Sequence, residues 1–352
     1  MLIEKLLITF AIIVVLIAIV AFIVANRKIR EKLQLMKLKT LIAFHKNEEA
    51  RKYALKLVEK HPKSFLAHKL LAELYEKEGN LKVALDEYIR AADLDENNFD
   101  IHYKVAELLN KTEKNEEAII VLQDILRNKP DYVQASKLLG NILYDEERFK
   151  ESISVLYDAL KYHPTDYDLY YCIGMAFTRL NDFQKAKEFY QKAAILNTYL
   201  YNGQYTLALI AMIQGELDEA QKYFEQALNQ EELEPVAYFY LAQIAILKNN
   251  KDKAITYLNL ALELDKKEIE KRIKAQPLFI GIEDKLVIPN ESRKIKITLS
   301  EREQKNNKYL EEMFMVVTSL NESKLTSEEG RNKDEEQYQE LVQEEIDKEH
   351  ER

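Results

Sequence analysis

The sequence predicts an all-α protein in which a row of helical hairpins follows one membrane-spanning helix. The chain has 352 residues but only 7 glycines and 6 prolines, so it contains few of the residues that interrupt helices. One pattern of small and apolar residues recurs at a fixed interval along most of the chain, which is typical of a repeat architecture. A single uncharged apolar stretch lies near the amino terminus.

Residues 6–25 form this apolar stretch and predict a transmembrane helix. At about 1.5 Å per residue, it is long enough for a hydrocarbon core of about 30 Å. A cleaved signal peptide has positive charge before its apolar core, whereas here only Lys5 precedes it. The basic residues after the stretch are Arg27, Lys28, Arg30 and Lys32. The positive-inside rule therefore predicts a single-pass membrane protein with its amino terminus outside and everything after residue 26 in the cytoplasm.

The repeat becomes visible when the sequence is cut every 34 residues, at Glu31, Phe65, Phe99, Val133, Tyr167, Tyr201 and Pro235. The twentieth residue of each segment is small: Ala50, Ala84, Ala118, Ser152, Ala186, Ala220 and Ala254. The eighth is small in all segments but the first: Leu38, Ala72, Ala106, Gly140, Gly174, Ala208 and Ala242. Small residues at both places allow the two helices of a hairpin to approach closely.

Short breaks separate the two helices of several segments, at 79–80, 181–182, 215–216 and 249–250. Pro62, Pro130 and Pro164 end second helices. In period, small residues and breaks, residues 31–266 resemble the tetratricopeptide-repeat (TPR) family. The resemblance implies a right-handed superhelix, or α-solenoid, that binds other proteins.

This interpretation divides the chain into four parts. The parts are an anchor with its basic flank (1–30), seven repeats (31–64, 65–98, 99–132, 133–166, 167–200, 201–234 and 235–266), a capping helix with a C-terminal extension (267–320), and an acidic disordered tail (321–352). The short anchor and the uninterrupted repeats favour a bacterial source.

The family resemblance implies that five places in each segment line a concave, peptide-binding groove. These side chains are mostly polar in the second to fourth segments and apolar or aromatic in the last three. The candidate groove residues are Tyr171, Met175, Tyr205, Leu209, Met212, Phe239, Gln243 and Leu247. An adaptable apolar surface of this kind suits an amphipathic helix or an extended peptide. Two alternatives to peptide binding remain for these residues: they pack between neighbouring helices, or the chain's own C-terminal segment covers them.

One TPR subfamily clamps the carboxyl terminus of chaperones with Lys, Asn and Arg side chains on three successive repeats. Lys137 and Asn141 match its first pair. The next segment has Cys172 in place of the second Asn, and the following one has Asn202 and Thr206 in place of Lys and Arg. The sequence therefore argues against a chaperone clamp.

Beyond Pro277 the pattern changes. Residues 278–299 mix a short apolar run with an alternating stretch and predict two short strands. Ser300 followed by Glu303 predicts a capping box that opens a helix. An apolar stripe comes next at Leu310, Met313, Phe314, Val317 and Leu320. Docking of residues 301–320 into the groove would be intramolecular and hence favoured by a high effective concentration.

Several functional classes are disfavoured. The net charge of −9 offers no basic stripe for nucleic acid. The single cysteine allows neither an intramolecular disulfide nor a cysteine-based zinc site. The histidines are scattered, at His45, His61, His68, His102, His163 and His350, and no phosphate loop or nucleophile motif is present. We therefore expect neither an enzyme nor a bound cofactor or metal.

Three functional hypotheses remain. The first is a membrane-anchored, cytoplasm-facing adapter that binds a peptide or helix of partner proteins and contacts lipid through residues 6–25. Its topology is similar to that of the lipopolysaccharide assembly protein B family, but the metal knuckle of that family requires cysteines that are missing here. The other hypotheses are a self-assembling structural component of a membrane complex and an organelle-surface targeting receptor.

Overall fold

The computed structural model describes residues 12–19, 22, 26–291 and 299–325. Residues 12–19 are helical, and the other residues of the predicted membrane segment, apart from Phe22, lie outside the described ranges. Within the described ranges, no helix combines the length and the apolar character needed to cross a bilayer. The chain forms two compact units, which divide between Ile142 and Leu143.

The first unit consists of consecutive helical hairpins. Its helices are α1 (Arg27–Ala43), α2 (Asn47–Lys60), α3 (Phe65–Lys77), α4 (Leu81–Leu94), α5 (Phe99–Lys111) and α6 (Asn115–Asn128), and α7 (Val133–Asp145) runs across the division. The core at its beginning is built by Leu38 of α1, Ala54 and Leu57 of α2, and Leu71 and Leu74 of α3.

The second unit continues the same arrangement and ends in a longer helix. Its helices are α8 (Phe149–Leu160), α9 (Tyr167–Arg179), α10 (Phe183–Leu196), α11 (Tyr201–Ile213), α12 (Leu217–Ala227), α13 (Glu234–Leu247), α14 (Lys251–Leu264), α15 (Lys266–Ala275) and α16 (Glu301–Leu325). The described residues contain no strand, so the predicted all-α helical-repeat class is confirmed.

The 34-residue period reappears in the helix boundaries. Helices α3, α5, α7, α9 and α11 begin at Phe65, Phe99, Val133, Tyr167 and Tyr201, where the sequence pattern begins its segments. Side-chain caps start two of the second helices: Asp182 accepts a hydrogen bond from the Lys185 amide, and Asn250 accepts one from the Lys253 amide, each at 3.1 Å. Such caps satisfy amide groups that the first helical turn leaves free.

The turn inside each hairpin has one residue in the left-handed conformation. This residue is the fifteenth of its segment in every case: His45, Gly79, Glu113, Glu147, Asn181, Gly215 and Asn249, with φ between 56° and 77°. Gly and Asn tolerate this conformation, whereas a longer side chain crowds the following carbonyl oxygen. The breaks recognised in the sequence are thus the turns that have Gly or Asn at this position. At the equivalent position of two other hairpins, Glu113 and Glu147 adopt the same left-handed conformation, which strains their backbone.

We expect Glu113→Gly to stabilise the first unit by about 1 kcal/mol, since glycine removes the strain of a left-handed conformation. The reverse change at the equivalent turn, Gly79→Glu, should destabilise the unit by a similar amount. No side chain or backbone atom lies within 4 Å of a Cβ atom built on Gly79, so this control tests the backbone conformation alone. Hydrogen exchange of α3 to α6 measures both changes, and shifts of equal sign would contradict the explanation.

The small residues at the eighth and twentieth places lie where hairpin helices meet. Ala72 and Ala84, from the paired helices α3 and α4, are both completely buried. In the hairpin of α9 and α10, a Cβ atom on Gly174 would lie only 2.9 Å from the ring of Tyr190. The close approach predicted from the pattern is therefore real at these two hairpins.

The segment between α15 and α16 differs from its prediction. Residues 277–291 form two short 3-10 turns, Pro277–Phe279 and Glu283–Lys285, followed by irregular chain. The predicted strand around residues 286–288 is therefore wrong: Val287 is 69% exposed, and its amide bonds to the Asn259 side chain rather than to a neighbouring strand. The second predicted strand falls mainly on residues 292–298, which lie outside the described ranges.

Helix α16 begins with the capping box that the sequence predicts. The Ser300 amide donates to Glu303 Oε2 at 2.9 Å, and the Glu303 amide donates to Ser300 Oγ at 3.3 Å. The helix continues to Leu325, four residues beyond the predicted start of the acidic tail, and the rest of that tail lies outside the described residues.

Candidate functional site

Seven of the eight predicted groove residues are buried on three neighbouring first helices. They are Tyr171 and Met175 of α9, Tyr205, Leu209 and Met212 of α11, and Phe239 and Gln243 of α13. Leu247, the last residue of α13, is 45% exposed instead. We call the surface formed by these seven residues, together with Asn202 of α11, Tyr240 of α13 and Arg272 of α15, the docking face. It lies entirely within the second compact unit.

Helix α16 packs its apolar stripe against part of the docking face. The helix packs against α9 and α11 and buries Leu310, Met313 and Phe314. The ring of Phe314 meets the ring of Tyr240 edge-on, with centroids 5.9 Å apart. Such a pair adds about 1 kcal/mol to the free energy gained by burying the rings. The part of the predicted stripe up to residue 314 is thus packed against the chain's own repeats.

A charged contact lies within this apolar interface. Arg272 Nη2 donates to Glu311 Oε2 at 2.8 Å, and the Tyr205 hydroxyl donates to Glu311 Oε1. Arg272 Nε donates to Glu268 Oε1 at 2.9 Å, and the guanidinium lies 5.9 Å from the ring centroid of Phe239. One carboxylate of α16 therefore receives hydrogen bonds from a guanidinium and a hydroxyl that are both largely buried.

The surroundings fix the protonation of these donors. Burial, and then the negative charge of Glu311, raise the pKa of Tyr205 well above its usual value, so its hydroxyl keeps its proton. Burial works against the charge of Arg272, but the charge of Glu311, its hydrogen bond to the guanidinium, and the nearby Tyr205 and Tyr240 together raise the pKa of the guanidinium. Both groups can therefore donate to a carboxylate at any physiological pH.

Asparagine side chains form the second polar contact. Asn306 Nδ2 donates to the Tyr190 hydroxyl at 3.2 Å, and Asn307 Nδ2 donates to Asn202 Oδ1 at 2.7 Å. Asn202 in turn donates to the hydroxyl of Tyr171. Because these amides are buried and need specific partners, they fix the register of α16 along the docking face.

The first half of α16 is held by polar contacts at its edge. Arg302 forms a bidentate pair with Asp145, with nitrogen to oxygen distances of 3.1 and 2.7 Å. The Tyr309 hydroxyl donates to Asn181 Oδ1 at 2.6 Å, and the Arg179 guanidinium lies 5.0 Å from the Tyr309 ring centroid. Arg302 and Tyr309 are partly solvent-exposed, so these contacts contribute less than the buried ones.

The arrangement is suited to holding a helix. It offers apolar area, one carboxylate-binding position and amide partners, and the helix it holds is amphipathic. Among the described residues, no group of three or more His, Cys, Asp or Glu side chains is arranged to hold a metal ion. Of the histidines, the buried His61 and His68 make structural contacts with Gln34 and Glu87, far along the chain from the docking face.

Sequence reasoning missed several residues of this site. Asn202 occupies the second place of its segment, and the family resemblance assigns places two, five, nine, twelve and thirteen to the groove, so its position was a usable signal. Arg272 lies beyond the last repeat, where no periodic pattern applies. Asn306 and Asn307 lie one turn before the apolar stripe of α16 and on the same side, and buried amides in such a place indicate a specific polar contact.

Sequence comparisons identify the repeats. A tetratricopeptide-repeat family model matches residues 137–201 and 205–269. A second model, described only as a domain of unknown function (DUF7017), matches residues 33–129. The search of curated proteins gave no match.

A solved TPR structure shares the fold at low sequence identity, and others are more distantly similar. The C-terminal part of a TPR protein from Cytophaga hutchinsonii is 18% identical, with a TM-score of 0.59 over 67% of this chain and 98% of that chain. A TPR protein from Parabacteroides merdae is 14% identical, with a TM-score of 0.49 over 69% of this chain and 97% of that one. MamA from Desulfovibrio magneticus is 20% identical, with a TM-score of 0.43 over 46% and 92%.

The fold and the docking face define a class: helical-hairpin repeat proteins whose first helices hold a further helix of the same chain. Within this class, residues 137–201 and 205–269 match the tetratricopeptide-repeat family. The family resemblance seen in the sequence is thereby confirmed. TPR proteins generally serve as protein–protein interaction scaffolds.

Proposed function

We propose that the protein is a membrane-anchored, cytoplasm-facing scaffold that binds a helix of a partner protein on its docking face. The observation that carries this proposal is that the docking face already holds an amphipathic helix. Leu310, Glu311 and Phe314 of α16 engage this face through three kinds of contact: apolar packing, a charged hydrogen bond and an aromatic pair.

Two features support the membrane anchor. Residues 12–19 are helical and expose a continuous set of apolar side chains, which is the condition that lipid requires of a spanning helix. The basic residues directly after position 26 favour the cytoplasmic side for the rest of the chain. The repeats would then lie next to the membrane, where a bound partner is recruited to the bilayer.

The experiment compares three tagged versions of the full chain, expressed in cells and purified from the membrane fraction with their bound proteins. They are the unchanged chain, a chain with Leu310→Asp and Phe314→Asp, which we call the open chain, and the open chain with Arg272→Glu. Partners of the docking face should be enriched on the open chain and lost when Arg272 is reversed in charge. Arg127→Glu, on an arginine whose side chain is 75% exposed in α6, is the matched control.

The outcomes separate the functional hypotheses. The same partners on all versions would place binding elsewhere and contradict the proposal for the docking face. Recovery of further copies of this chain alone would favour a self-assembling component. Recovery of proteins in transit to a membrane would favour a targeting receptor. Absence of the chain from the membrane fraction would contradict the anchor while leaving the docking face open to test.

A further inference from the structure

The position that binds Glu311 requires an anion. The Arg272 side chain is only 21% exposed, and without Glu311 one of its nitrogens and the Tyr205 hydroxyl would lose their acceptor. Leaving buried donors unpaired costs more than the net value of the hydrogen bonds themselves. Any helix that replaces α16 without a carboxylate at this place is therefore at a large disadvantage.

The docking face also selects the side chain one turn after the carboxylate. Phe314 lies three residues after Glu311, on the same side of α16, and contacts Tyr240. Tyr240 itself is stacked on Phe224 with centroids 5.2 Å apart, so its edge and position are fixed by the repeat core. The fixed Tyr240 ring therefore favours an aromatic side chain one turn after the carboxylate of a bound helix.

The fit of α16 to the face is incomplete. Within the described residues, Asn306 Oδ1 and Asn307 Oδ1 are buried and accept no hydrogen bond, and Gln243 Oε1 on the face is in the same state. Native interfaces leave few buried polar atoms unpaired, because each one weakens binding. A helix whose polar side chains at these two places are fully paired would bind the docking face more tightly than α16.

The tether allows α16 to leave. The helix is joined to α15 by residues 276–300, and the described part of that connection contains only two short 3-10 turns. Its release therefore requires no repeat helix to unfold. While it is tethered, a high effective concentration favours its return, so a partner must bind more tightly than the free α16 sequence to displace it.

We infer that α16 occupies the docking face in place of a partner, which displaces it on binding. The partner is an amphipathic helix with a carboxylate that binds Arg272 and Tyr205 and an aromatic ring one turn later. This inference rests on the proposed function, because it specifies what the docking face binds. It implies that the unchanged chain is closed until such a helix competes for the face.

The test uses the full chain in detergent and, as the probe, a labelled synthetic peptide of residues 299–325. By fluorescence anisotropy, the open chain should bind this peptide at least about tenfold more tightly than the unchanged chain, since its own α16 no longer competes. A peptide with Glu311→Gln should bind the open chain about tenfold more weakly than the parent peptide, as expected for a lost hydrogen bond to a charged group. A Lys308→Gln peptide, changed on the exposed side, should bind like the parent.

Each contrary outcome has one meaning. If the Glu311→Gln peptide binds as well as the parent, the carboxylate requirement is overturned while the docking face still binds helices. Equal binding of the parent peptide to the open and unchanged chains would overturn the competition by α16. If no peptide binds an open chain whose helices α9 to α15 keep their hydrogen-exchange protection, the proposed function itself fails.

A second measurement covers the case in which the open chain does not fold. Arg272→Gln in the full chain should lower the hydrogen-exchange protection of residues 301–315 about tenfold, because Glu311 loses its charged partner. Lys308→Gln should leave this protection unchanged. Unchanged protection in the Arg272→Gln chain would overturn the inference that this charge holds the helix.

Discussion

Replacing Leu310 and Phe314 together by aspartate should detach α16 from the docking face. Each side chain is buried against the repeats, and truncating a buried Leu or Phe alone costs about 3 kcal/mol or more. An aspartate at either place would also bring an unpaired charge into an apolar interface, which adds to the cost. We expect the two changes together to exceed the free energy that holds one short helix on a surface.

The loss is measured by hydrogen exchange of residues 301–315. Their amides should exchange at nearly the rate of an isolated peptide, since a helix of this length is marginal in water without tertiary contacts. Helices α9 to α15 should keep most of their protection, although the uncovered face will bind apolar dyes. The matched control is Met315→Asp, on a side chain that is 45% exposed in the same helix. Retained protection in the doubly substituted chain would show that α16 is held by something other than its stripe.

Local patterns predicted the local structure well. The correctly predicted features depend on interactions within about one hairpin. They are the small residues at the eighth and twentieth places, the helix starts at Phe65 and Phe99, and the cap formed by Ser300 and Glu303. Such interactions repeat with the sequence and can be read from one chain. The strained turn at Glu113 was not predicted, because its conformation is set by the neighbouring helices and not by the residue that occupies the turn.

The candidate site depends on contacts between residues far apart in the chain. Glu311 meets Arg272 and Tyr205, which precede it by 39 and 106 residues. An apolar stripe indicates that α16 must be buried, but it does not identify the surface that buries it. The sequence left open whether the groove residues pack between neighbouring helices or are covered by the C-terminal segment. Tyr205 does both: its ring packs against Phe224 in the repeat interior, and its hydroxyl contacts α16.

Gly174→Leu should destabilise the second unit by about 3 kcal/mol, because overfilling a closely packed hairpin forces side chains and backbone apart. Even the first added carbon would lie 2.9 Å from the Tyr190 ring. That ring cannot easily yield: it is completely buried, and its hydroxyl contacts Thr178 Oγ1 and Asn306 Nδ2, each at 3.2 Å. The greater helix propensity of leucine, about 1 kcal/mol, offsets only part of the strain.

This substitution links the repeat pattern to the docking face. A displaced Tyr190 loses its hydrogen bond to Asn306, so protection should fall in α16 as well as in α9 and α10, although Gly174 lies outside the docking face. Hydrogen exchange of these three helices measures the effect. The control is Gly215→Asn, at a left-handed turn with no atom within 4 Å of an added Cβ, where asparagine is tolerated. If α16 kept its protection while α9 and α10 lost theirs, the helix would be held independently of the Tyr190 contact, and Glu311 would be its main polar attachment.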